Sequence, residues 1–103
     1  FILSNKSNYQ YGYYNYYNLL GNYFWVKNKM DSAFANFKKS LEFCNDNKPY
    51  EKIVALSNIG LIYVHQYNAD SANKYLLQTY TLAKENNNLK MAAKALFDLS
   101  NLN

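Results

Sequence analysis

The reading of residues 9–25, YQYGYYNYYNLLGNYFW, decides the fold. Nine of these seventeen residues are aromatic, and most of the others are Asn, Gln or Gly. A half-buried strand would place Tyr and Asn on alternate faces. The adjacent pairs Tyr13-Tyr14, Tyr16-Tyr17 and Leu19-Leu20 break that alternation. Wound as a helix at about 100° per residue, with Tyr17 at the centre, the tract separates into two faces. Tyr9, Tyr13, Tyr14, Tyr16, Leu20, Gly21, Tyr23, Phe24 and Trp25 share one arc of roughly 200°. Asn15, Asn18 and Asn22 form an amide stripe on the other side, at helical i, i+3, i+7 spacing. Tyr11, Leu19 and Val26 fall outside the apolar arc. So wide an arc predicts a helix covered by neighbours on two sides, with tyrosine rings in the core and hydroxyls at its rim. The helical period argues against a low-complexity, aggregation-prone tract. A sugar-stacking platform is the sharper alternative for the same rings.

Around Gly21 the chain reads Tyr17-x2-Leu20-Gly21-x2-Phe24, then Ala33-x3-Phe37. It later reads Leu56-x2-Ile59-Gly60-x2-Tyr63, then Ala72-x3-Leu76. Gly21 to Gly60 and Ala33 to Ala72 are both 39 residues, and Asp-Ser-Ala recurs at 31–33 and 70–72. Leu96-x2-Leu99-Ser100 begins a third, partial copy. Two glycines and two alanines in register predict two close helix crossings, with bulky residues filling the space beside each. A glycine inside a helix is about 1 kcal/mol worse than alanine, so each must be held there by packing.

These motifs resemble the tetratricopeptide repeat (TPR), a helix-turn-helix unit with the pattern W-x2-L-G-x2-Y, A-x3-F, P and a period near 34 residues. Tyr17 and Leu56 stand where Trp is usual, Ser100 replaces Gly, and the period is about five residues longer. The surplus is expected between repeats, at NDNKPYEK, where Pro49 comes later than the family's proline. Long-period variants of this kind look like those of bacterial signalling and regulatory proteins. The resemblance implies an all-α solenoid of antiparallel helix hairpins, about two and a half repeats long.

The expected helices run from Tyr9 to Val26, Met30 to about Asn45, Pro49 to about Gln66, an Asn68 cap to Glu85, and Leu89 to near the end. Residues 1–8 read as the end of a preceding repeat helix, 9–48 and 49–88 as repeats, and 89–103 as the first helix of a third. Both termini then fall inside repeats, as in a segment of a longer chain. Such arrays stack on nearest neighbours and expose apolar ends unless capped. Self-association through those ends is therefore expected.

The remaining composition excludes more than it identifies. Of 103 residues, 11 are Lys and none is Arg, and 17 are Asn, so polarity rests largely on uncharged amides. Without Arg's planar fork, specific nucleic-acid recognition is not expected. No apolar run approaches the length of a membrane span. Cys44 is alone, so no internal disulfide forms, and it reads as a small core residue. Its isolation is compatible with cytoplasm or periplasm. His65 is the single His, and the carboxylates are scattered. The sequence offers no triad, metal cluster or phosphate loop, so no catalysis and no cofactor are expected.

By the resemblance, the first helix of each repeat lines a concave surface. The candidate groove then carries Asn15, Asn18 and Asn22 with Val26 near. It continues through Val54, Ser57, Leu61 and His65 to Lys94, Phe97 and Asn101, with Lys90 at the edge. Amides suit an extended peptide, whose backbone offers donors and acceptors alike. Some TPR modules clamp a C-terminal carboxylate; Asn22, Asn58 and Lys94 look roughly similar, but no Arg is present and Asp98 is close. The expected function is a protein- or peptide-interaction module. A sensory segment of a signalling or transcription-regulating protein is the alternative, and a glycan-binding scaffold is the third reading.

Overall fold

The computed structural model describes residues 2–102, with side chains described from Tyr9 onward. The described residues form five helices and no strand: α1 (Ile2–Val26), α2 (Met30–Glu42), α3 (Pro49–His65), α4 (Ala69–Glu85) and α5 (Leu89–Ser100). Each packs chiefly on its neighbours in the chain, and α3 also touches α5. The result is a flat body of 50 × 32 × 18 Å.

The first two helices run antiparallel, as their contacts show. Gln10 Nε2 donates to the Cys44 carbonyl at 3.1 Å, Tyr17 stacks on Phe43 at 5.8 Å, and Gly21 meets Phe37. The crossing at Gly21 is so close that a β-carbon there would fall on the Phe37 ring. Thirty-nine residues on, a β-carbon at Gly60 would lie 2.8 Å from Leu76 Cδ2. Ala33, Phe37, Ala72 and Leu76 are all fully buried beside these crossings. One core joins Ala33 and Phe37 to Ile59 and Ile62; a second joins Ile53, Ala83 and Ala92.

Three of the four links are one turn used three times. Asn28, Tyr67 and Asn87 adopt left-handed backbone at φ 60°, 59° and 58°. In each turn that residue's N–H bonds three residues back, and the next N–H bonds five residues back, as in Lys29 to the Phe24 carbonyl at 2.8 Å. This is the Schellman arrangement, which satisfies the last carbonyls of a helix. Asn68 and Asn88 then cap the following helices by accepting from Ser71 N–H and Met91 N–H. The α2–α3 link is different. Pro49 opens α3, and the buried Glu51 carboxylate accepts the Asn45 N–H at 3.2 Å.

Four expectations need correcting. First, α1 runs without a break from Ile2, so residues 2–8 extend the first helix rather than end a preceding one. No proline or turn-forming pair separates Leu3 from Tyr9; Phe1 lies outside the described residues. Second, α2 ends at Glu42, not Asn45. Phe43 and Cys44 N–H groups tighten onto carbonyls three residues back, and Glu51 takes the Asn45 N–H that would continue the helix. Third, the surplus period is not confined to the link. In the second copy it lengthens α4 to 17 residues, against 13 in α2, and the α4–α5 link is three residues. Fourth, the tyrosine arc is covered on one side only. Tyr14 is buried, but Tyr9, Tyr13, Tyr16 and Tyr23 are exposed, because α2 is the neighbour on one flank and nothing described lies opposite. Likewise Leu96 of the third copy is half exposed, while its counterpart Leu56 is buried under α4.

Candidate ligand groove

The amide stripe of α1 faces α3, and the two helices are bridged by their side chains. Asn58 Nδ2 donates to Asn18 Oδ1 at 2.9 Å, both half-buried. On one side of this bridge lies a hollow of about 550 Å³, walled by Asn15, Asn18, Tyr14 and Val54 and bounded by Lys48 to Glu51. On the other lies a smaller one of about 190 Å³, walled by Asn22, Trp25, Asn58 and Leu61 over the Phe37 ring. At its end Trp25 and His65 pack ring against ring, 5.8 Å apart. Lys48 Nζ stands 5.7 Å over the Tyr11 ring beside the larger hollow.

The larger hollow is nearly neutral, and its lining is more apolar than polar. Tyr14 keeps its proton, since burial first and then the neighbouring Cys44 and Glu51 push its pKa well above the usual range. It therefore stands as a neutral hydroxyl rather than a phenolate and, being buried, backs the wall rather than reaching a ligand. With Asn15 and Asn18 the wall presents hydrogen-bonding groups without net charge, and Val54 adds an apolar contact.

The structure brings Asn15, Asn18, Asn22, Val54 and Leu61 to this groove, with His65 at its end. Ser57 is buried and presents nothing to a ligand from outside. The α5 residues stand apart. Lys94 is already paired with Asp98 at 3.1 Å, and Phe97 is exposed. Asn101 lines a separate hollow of about 210 Å³ with Val64 and Tyr67.

Sequence reasoning missed a hollow on the α2–α4 side. Two connected spaces, of about 470 and 710 Å³, share Lys52, Leu56, Lys74 and Gln78. Lysines 52 and 74 are balanced there by Glu42, Asp46 and Glu85, so no single charge dominates. The available signal was Lys74-x2-Leu77-Gln78-x2-Thr81, one helical line on α4. Among the described residues, no group of three His, Cys, Asp or Glu side chains is placed to hold a metal, and no helix is long and apolar enough to cross a membrane.

No protein-family model, curated protein or solved structure matches the chain.

Proposed function

We propose that the chain is a protein-interaction module of TPR type, a stack of helix hairpins that holds an extended peptide along the α1–α3 groove and performs no catalytic step. The observation that carries this reading is the pair of equivalent crossings. Gly21 against Phe37 and Gly60 against Leu76 recur at a spacing of 39 residues, with Ala33 and Ala72 buried beside them. Stacked hairpins of this kind align their first helices side by side. The neutral amide wall then fits a peptide backbone, which needs donors and acceptors in alternation. Lys94 sits outside the two hollows and is already neutralised by Asp98, so it contributes little to recognition.

The test is a peptide array read against the full chain, followed by titration of the best binder. Changing Asn18 and Asn22 together to Ala should weaken that peptide at least tenfold, while Lys94→Ala should change it less than threefold. Equal binding by the Asn18/Asn22 variant would remove the groove from the proposal.

The glycan reading draws on a separate observation, the exposure of Tyr9, Tyr13, Tyr16 and Tyr23. It requires oligosaccharide binding that survives the Asn18/Asn22 change and is lost in Tyr16→Ala.

A further inference from the structure

Six positions on α1, namely Tyr9, Gly12, Tyr16, Leu19, Tyr23 and Val26, follow one another at spacings of 3, 4, 3, 4 and 3 residues. That is the a/d seam of a helix pair. All six lie on the face turned away from α2, and the five with side chains are each more than half exposed. We infer that this face is a self-complementary docking surface, on which a second copy of the chain lays its own α1 antiparallel to form a two-fold dimer. The inference is independent of the peptide groove, whose Asn18 and Asn22 lie beside the seam rather than in it.

The order of residue sizes along the seam supports a second copy. In an antiparallel pair centred between Tyr16 and Leu19, Tyr9 meets the other copy's Val26, Gly12 its Tyr23, and Tyr16 its Leu19. Every ring falls on a smaller partner. In a parallel pair, ring would fall on ring at Tyr9, Tyr16 and Tyr23, and Gly12 would fall on itself. A two-fold contact needs this self-matching of one surface.

Gly12 is otherwise unaccounted for. A β-carbon there would meet nothing within 4 Å, unlike those at Gly21 and Gly60. Glycine is the poorest helix former after proline, and nothing among the described residues requires it at this exposed position. A partner's tyrosine seated over the backbone does require it.

Charge and size agree. Residues 7–26 contain no Asp, Glu, Lys, Arg or His, so the length of the face is uncharged; Lys27, 5.7 Å over the Tyr23 ring, places one cation at its end. The exposed side chains of the seam offer roughly 600 Å² per copy. The pair would bury about 1,200 Å², the lower bound for a specific, stable interface. Tyr16 and Tyr23 are already braced edge-on by Tyr17 and Phe24, at 5.1 and 5.3 Å, so little ring freedom remains to be lost on pairing. The same fold covers this flank elsewhere. Thirty-nine residues on from Tyr16 and Tyr23 stand Ala55 and Ile62, both fully buried, and Ile62 shares a core with Ala33 and Phe37 of α2.

Sedimentation equilibrium of the 103-residue chain, from about 1 to about 300 µM, tests the pairing. A monomer–dimer equilibrium is expected within that range. Leu19→Lys should weaken it at least tenfold, as should Gly12→Leu, which fills the hollow while improving helix propensity. Circular dichroism of both variants should show unchanged helix content. Orientation is read in a Cys44→Ala background by oxidising Tyr9→Cys and Val26→Cys chains separately and mixed. Crosslinking that appears only in the mixture supports the antiparallel pair. A chain monomeric throughout the range, a dimer indifferent to both Leu19→Lys and Gly12→Leu, or self-crosslinking of either variant alone would overturn the proposal.

Discussion

The three glycines make a controlled experiment, since each stands inside a helix and meets different surroundings. Replacing glycine by alanine in a helix interior gains about 1 kcal/mol from propensity alone. Gly12 has open space around it, so Gly12→Ala should realise that whole gain in a monomeric chain. At Gly21 the added methyl falls on the Phe37 ring, and Phe37 is 1% exposed, so the ring has nowhere to swing. Overpacking of this kind costs about 1–3 kcal/mol; after the propensity gain, the net loss is up to about 2 kcal/mol. Gly60→Ala meets Leu76 Cδ2 and Cγ at 2.8 and 2.9 Å, and Leu76 is also fully buried, so a similar loss is expected. The inner and outer substitutions should therefore differ by about 1–3 kcal/mol, with only the outer one stabilising. The assay is urea unfolding in the Leu19→Lys background, which removes any contribution from pairing. At a typical slope of about 2 kcal/mol/M, the midpoints separate by about 0.5–1.5 M. A second arm isolates the contact: Phe37→Leu should partly rescue Gly21→Ala, with a coupling of about 1 kcal/mol in the double-mutant cycle. If Gly21→Ala stabilises as Gly12→Ala does, or if the cycle is additive, the close crossing is wrong, and the repeat argument loses its first support.

Two further outcomes can be checked directly. Tyr67 holds a left-handed φ of 59° with its side chain 95% exposed, a conformation that costs a non-glycine residue about 1–2 kcal/mol. Tyr67→Gly should raise stability by about 0.5–1 kcal/mol after the extra freedom of the unfolded glycine is subtracted, while Asn28→Gly should change it less, since Asn tolerates this region; thermal melts read both. Burial first, and then the charge of Glu51, push the Cys44 thiol from 9.0 up to about 12. The folded chain thus keeps a proton that the unfolded chain releases near pH 9, so this contribution to stability is complete below pH 9 and is lost as pH rises toward 12. Cys44→Ala should flatten that fall, and iodoacetamide at pH 8.5 should label the native thiol at least a hundredfold more slowly than the urea-unfolded one. Labelling at the unfolded rate would show the thiol to be ionised or open.

The helical layout was legible because its signals are local. Pro49 opens α3, Asn68 and Asn88 cap α4 and α5, and the repeated glycines meet Phe37 and Leu76, each four residues after the repeated alanine, across the intervening turns. Periodicity says which residues share a face, but not whether anything covers it. That is why Tyr16 and Tyr23 read as core and stand in solvent. The end of α2 depended on Glu51, which acts from the next helix and leaves no mark within residues 42–45. Of the candidate groove, the α1 amides and the α3 apolar residues were legible as two stripes, and the Asn18–Asn58 bridge joins them. Ser57 is buried rather than facing the groove because α3 is packed by residues of α1, α2, α4 and α5, more than the spacing of its own residues reveals.

The near-neighbour packing has a consequence for how the chain is made. Most of its contacts join helices adjacent in sequence, and the α1–α2 pair is complete once residue 44 has been added. Chains with such low contact order fold quickly and from local beginnings. During synthesis, the first hairpin can therefore close while α4 is still inside the ribosome, and each later helix arrives to find its docking partner already folded.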